Sequence, residues 1–132
     1  MIIVDYKGPK AQIIWDNGVV SFYCETREAF YEWLDLVKKN KIRKFFVQDF
    51  SCIKWGSYMS NWVEASKVFY VINSFKHGAM GISYIPFSDL VYAKLFIIKY
   101  GGIIVNFDDI TLDVLEQSND LFQDRSLNSC TN

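Results

Sequence analysis

The chain has 132 residues, of which 51% are hydrophobic and 17% aromatic, and a formal net charge of -1. That length suits one domain, and the apolar content excludes global disorder. A pI of about 5.8 argues against general affinity for nucleic acid or a membrane surface. The aromatic content exceeds what so small a domain readily buries, so some rings are expected at the surface, where they mark contact sites.

Three cysteines, Cys24, Cys52 and Cys130, are widely spaced, and His77 is the single histidine. A structural zinc site takes about four such ligands, and a disulfide framework takes an even number of cysteines. The expectation is therefore reduced thiols, no metal, no cofactor and a cytoplasmic location. The opening run MIIVDYKGPK is too short for a signal peptide. Apolar stretches break before the roughly 20 residues that a membrane span needs, so no membrane partner is expected.

In chain order, Met1 to Tyr6 reads as a strand. Ala11 to Trp15 and Val19 to Cys24 flank Asp16-Asn17-Gly18, a strong hairpin signal. Thr26 is a candidate N-cap for a helix carrying Ala29, Phe30, Trp33, Leu34 and Val37 at helical spacing and closing on Lys38-Lys39-Asn40. Ile42 to Phe50 is a strand. Asn61, with Glu64 three residues on, predicts a second helix through Val68, Val71, Ile72 and Phe75 to His77-Gly78. Met80 to Ile85 is a strand ended by Pro86. A third helix starts near Ser88, with Asp89 in its first turn, and stops at Gly101-Gly102. Ile103 to Phe107 is the last strand, and Thr111 opens a final helix. The expected fold is a single α/β domain over residues 1–125 with a frayed polar tail at 126–132. Its order βββαβαβαβα implies a mixed, mostly parallel sheet with an N-terminal β-hairpin or meander.

From Ile42 onward this layout resembles the STAS family of anti-sigma-factor antagonists. The segments that carry the resemblance are KNKIRKFFVQDF, SCIKWGSYMSNW, GAMGISYI and PFSDLVYAKLFIIKYGGIIVNFDD. The family's phosphorylatable loop has the form Asp-Ser-[Ser/Thr]-Gly-Leu. Here Ser57 aligns with its serine, but Trp55 stands in place of the Asp and Tyr58 in place of the Gly. The resemblance thus implies a STAS-like fold and a docking surface, without a kinase-controlled switch.

Candidate chemistry is sparse. No phosphate-cradling glycine loop occurs, and a nucleophile would have to use His77 as its base. The expected function is non-enzymatic: a regulatory protein that docks a protein partner through Trp55, Ser57, Tyr58, Met59 and Trp62. Lys38, Lys39, Lys41, Arg43 and Lys44 form a basic knot, read either as helix-end chemistry or as a contact for phosphate or an acidic partner. Nucleic acid is not an expected partner, and homo-oligomerisation is allowed. Two alternatives stand beside this. One is a phage or mobile-element inhibitor of a host defence complex. The other is a divergent Mg²⁺-dependent nuclease using Asp16, Asp49 and Lys54.

Overall fold

The computed structural model describes residues 9–51, 61–74, 77–78, 81–82 and 84–121. Strands β1 (Ala11–Trp15) and β2 (Val20–Tyr23) form an antiparallel hairpin. Its turn is closed by the Asn17 side chain, which accepts the Val19 amide at 3.0 Å, and by Gly18 at φ 88°. Helix α1 (Thr26–Trp33) follows, then β3 (Ile42–Asp49) on the other side of β1 and β4 (Asn61–Glu64) beside β3. These strands make a four-stranded sheet in the order β2-β1-β3-β4.

Next come β5 (Phe69–Ile72), β6 (His77–Gly78), β7 (Gly81–Ile82) and β8 (Ile85–Phe87). Helix α2 (Leu90–Tyr100), β9 (Ile103–Asn106) and α3 (Leu112–Leu121) complete the described chain. The second sheet has the order β8-β5-β9, and β6 pairs with β7 alone. Both neighbours of β5 run antiparallel to it. Helix α2 therefore crosses over from β8 to β9 with β5 inserted between them.

Every strand pairing among the described residues is antiparallel, which overturns the expected mostly parallel, STAS-like sheet. The decisive error lies in residues 61–75, where two strands replace the predicted helix. Tyr70, Val71 and Ile72 are all buried, at 0%, 0% and 3% exposure. A central strand buried on both faces has no alternation of polar and apolar residues to reveal it. Its aromatic and β-branched run Phe69-Tyr70-Val71-Ile72 is instead the signal that favours a strand.

Helix α1 is also shorter than its apolar spacing predicts. The Asp35 carboxylate accepts the amides of Val37 at 2.9 Å and Lys38 at 3.1 Å, offering the backbone a turn in place of another helical turn. Those two bonds, Lys38 first, hold the Asp35 carboxyl below its ordinary range. Leu36 and Val37 end up in solvent. Pro86 lies within β8 instead of ending it. That is an edge strand, where a missing N–H is tolerated, and the Pro86 carbonyl accepts the Phe50 amide at 2.8 Å.

Two apolar clusters fill the interior. The larger is aromatic at its centre: Phe30 of α1 meets Phe45 at 5.2 Å, Tyr70 at 5.4 Å, Phe107 at 5.5 Å and Tyr84 at 6.2 Å. The second gathers Phe50, Phe87, Phe96 and Ala93 under α2. Among the described residues these clusters bury seven aromatic rings, while Phe22 and Trp62 remain exposed.

Helix α2 stops where its sequence predicts but starts at Leu90, with Asp89 as its cap and not in its first turn. The Asp89 side chain caps the Val91 amide at 2.9 Å, and Gly101, at φ 75°, returns its amide to the Ile97 carbonyl at 2.7 Å. Gly102 follows at φ 106°, where a Cβ would sit 2.6 Å from the Ile72 carbonyl oxygen and 2.9 Å from Val71 Cγ1. Gly102→Ala is therefore expected to destabilise the chain by about 1–3 kcal/mol, read as a lower urea midpoint at unchanged slope. A variant as stable as the parent would show that β9 does not approach β5 this closely.

Candidate functional site

The nuclease set does not assemble. Asp16 is exposed in the hairpin turn beside Lys41, whose carbonyl accepts the Asp16 amide at 2.8 Å. Asp49 ends β3, the strand that starts directly after Lys41, roughly 25 Å away at strand rise. Lys54 lies outside the described residues.

Asp49 has a different task. It is 8% exposed and accepts the amides of Ser51 and Ser88 at 3.0 Å each, and also the Ser88 hydroxyl. The Ser51 hydroxyl in turn accepts the Asp89 amide at 3.2 Å. This joint ties the end of β3, in the first sheet, to the start of α2, which covers the second. Burial pushes the Asp49 carboxyl up, but the Ser88 and Ser51 bonds outweigh it and hold it below its ordinary range.

A row of buried polar groups lies where α1 begins. Lys10, Glu25, Thr26 and Arg27 are each less than a tenth exposed. The Lys10 amide donates to Gln48 Oε1 at 2.8 Å, and Thr26 Oγ1 donates to the Pro9 carbonyl at 3.5 Å, so the row ties α1 to the start of β1. Burial lowers the Lys10 ammonium, with Glu25 opposing, and raises the Glu28 carboxyl, with Arg27 opposing. Cys24 is buried beside them, disulfide-bonded, with its Sγ 3.5 Å from Glu28 Oε1. The expectation that all thiols are reduced is corrected at this position.

The basic knot is not helix-end chemistry, because α1 ends at Trp33 and Lys39–Lys41 form a separate 3-10 turn. Lys38 pairs with Glu32 at 3.0 Å and Lys44 with Glu64 at 3.4 Å. Lys39 sits 4.8 Å from the centre of the Trp33 ring. Arg43 and Lys44 also border a cavity of about 210 Å³ with Trp33 and Glu64. Of the aromatic docking set, Trp62 lies on β4 and is 38% exposed. Trp55, Ser57, Tyr58 and Met59 lie outside the described residues.

His77, read from sequence as a helix end, is instead a strand residue. It pairs with Ile82 across the β6–β7 ladder, with Gly78 opposite Gly81. Met80 immediately precedes β7 in the sequence, so an imidazole and a thioether stand three residues apart. Imidazole nitrogen and thioether sulfur are both donors that soft metal ions accept. Among the described residues no group of three or more His, Cys, Asp or Glu is placed to hold a metal ion. No helix among them is long and apolar enough to cross a membrane.

Known proteins resemble this chain closely. A family model described as NosL matches residues 1–115. The copper-binding lipoprotein NosL of Stutzerimonas stutzeri is 30% identical over 119 residues, which is 89% of this chain and 62% of the relative. That of Achromobacter cycloclastes is 30% identical over 116 residues, 84% of this chain and 60% of the relative. The chain thus spans about three fifths of the length of these curated relatives.

Among solved structures, the crystal structure of the copper chaperone NosL from Shewanella denitrificans superposes with a TM-score of 0.78. It is 31% identical over 86% of each chain. The solution structure of apo-NosL from Achromobacter cycloclastes gives a TM-score of 0.55 and 27% identity, covering 80% of this chain and 87% of that one.

These matches overturn the STAS resemblance and, with it, the docking regulator, the phage inhibitor and the nuclease. The cytoplasmic expectation falls too, because both curated relatives are named lipoproteins, proteins that carry lipid. None of the relatives' names describes a catalysed reaction.

Proposed function

The chain belongs to the NosL family, and from that premise we propose that it is a lipoprotein that binds copper as Cu(I) and passes it to an acceptor protein. The observation that carries this reading is the naming of its relatives as a copper-binding lipoprotein and a copper chaperone, 30% and 31% identical to it over most of its length.

The donors of the chain suit that cargo. Cu(I) is a soft cation that selects thiolate and thioether sulfur and accepts imidazole. Thioether sulfur is supplied in the sequence by Met59 and Met80 among others, and the single imidazole by His77. Cys24, while disulfide-bonded, offers no thiolate. We assign His77 and Met80 as the pair that holds the ion. Neither donor carries a charge when it ligates, and a thioether needs no deprotonation, so the ion is held without a permanent anionic cage. Such a site suits release to a competing set of ligands.

The test is competition for Cu(I) against a chromophoric chelator. His77→Ala and Met80→Ala are each expected to weaken Cu(I) capture by about tenfold or more, at least as much as the loss of a supporting residue around a metal site. Unchanged affinity in both variants contradicts the assignment of the pair. Failure of the parent chain to take Cu(I) contradicts the copper reading.

A further inference from the structure

Helix α2 turns an apolar stripe outward. Ala93 and Phe96 are buried against the second sheet, while Val91, Leu95 and Ile98 are 60%, 56% and 82% exposed. Their spacing of i, i+4 and i+7 places them on one face, opposite the packed one. Ile103, also exposed, follows directly after the helix. The fold makes no use of this face among the described residues.

The charges on α2 discriminate between occupants. Lys94 and Lys99 are the only charged residues within the helix, and at helical spacing they stand on opposite flanks of the stripe. Asp89, at its start, is committed to capping the Val91 amide. An apolar ridge bordered on both sides by lysines suits an interface of acyl chains below and anionic headgroups above, with the lysine stems extended along the ridge. A second copy of the chain is a poorer fit, because a two-fold contact over this stripe would set lysine against lysine.

We propose that this face of α2 rests on an anionic lipid bilayer. This rests on the reading of the chain as a lipoprotein only for proximity to the membrane; the stripe and its flanking charges stand independently. The near-neutral net charge, which argued against membrane affinity, averages over a chain whose cations are locally concentrated. Attached lipid would tether the protein, and α2 would orient it on the surface.

The experiment uses the full chain without lipid, mixed with vesicles of phosphatidylcholine alone or with phosphatidylglycerol added. Co-sedimentation with the anionic vesicles is expected, and weaker binding to the neutral ones. The combined variant Val91→Ser, Leu95→Ser, Ile98→Ser and the pair Lys94→Glu, Lys99→Glu are each expected to lower anionic-vesicle binding roughly tenfold or more. Circular dichroism should stay unchanged, because the altered side chains are exposed. Absence of binding to either vesicle overturns the proposal, as does binding that neither variant reduces. Self-association of the parent, abolished by the serine variant without any vesicle binding, would assign the face to a second copy. Cu(I) capture by the serine variant is expected to match the parent, so failure of the copper reading is recognised separately.

Discussion

Replacing Phe30 with alanine is expected to lower the stability of the chain by about 3–5 kcal/mol, at the upper end of core truncations. The reason is position as well as size. Phe30 is fully buried on α1, and its ring touches Phe45 of β3, Tyr70 of β5, Tyr84 and Phe107. The two main sheets share no strand, and this ring meets side chains of both. Its neighbours are constrained as well. Tyr70 is tied to the Ala65 carbonyl at 2.6 Å and Tyr84 to the Val114 carbonyl at 3.3 Å. They cannot collapse into the vacated volume without breaking buried hydrogen bonds. Urea denaturation of parent and variant measures the loss. A change below about 1 kcal/mol would mean that the sheets are joined mainly elsewhere.

The second large effect belongs to Asp49. Asp49→Ala removes one acceptor from two backbone amides and a hydroxyl at a part-buried joint. The expected loss is about 2–4 kcal/mol, since amides left without a partner add to the lost bonds. Asp49→Asn keeps one acceptor oxygen and should lose less.

The pH dependence has a definite sign. The folded-state carboxyl lies below the ordinary value of 3.8, so its contribution is fully present above that pH and is lost as pH falls through the lower folded value. Parent and Asp49→Asn stabilities should therefore converge as the pH drops below about 3.8 and differ by a constant amount above it. A difference that persists unchanged into strong acid would show that the carboxylate's charge is not what the joint uses.

Much of the local structure was legible because it depends on a few residues with one strong preference each. Asp16-Asn17-Gly18 could hardly be anything but a hairpin turn. Asp89 and the Gly101-Gly102 pair bracket α2 by supplying a cap and a left-handed exit. Asp35 was harder to read, because the apolar residues after it kept helical spacing while its own side chain was ending the helix.

The topology was lost at residues 61–75. Val68, Val71 and Ile72 satisfy a helical pattern and a buried-strand pattern equally, and only tertiary burial decides between them. One wrong helix there turned antiparallel pairs into imagined crossovers, and the STAS resemblance followed from that layout.

The proposed His77–Met80 pair carries little signal for a chemical reason. Groups of cysteine, histidine and acid suit zinc and harder ions. Soft-metal sites are built partly from thioethers, and an isolated Met beside one His carries little signal above that of an ordinary strand and turn. Asp49, singled out for nuclease chemistry, stands at the C-terminal end of a predicted strand, where ligand-binding acids also occur. Its partners Ser51 and Ser88 show that it is structural.

The central claim is that the chain holds Cu(I) through soft donors, and X-ray absorption at the copper edge of the loaded, full chain tests it most directly. Sulfur scattering together with imidazole nitrogen is the predicted result, with the imidazole contribution absent in His77→Ala and the sulfur contribution reduced in Met80→Ala. A first shell of oxygen and nitrogen alone would contradict it.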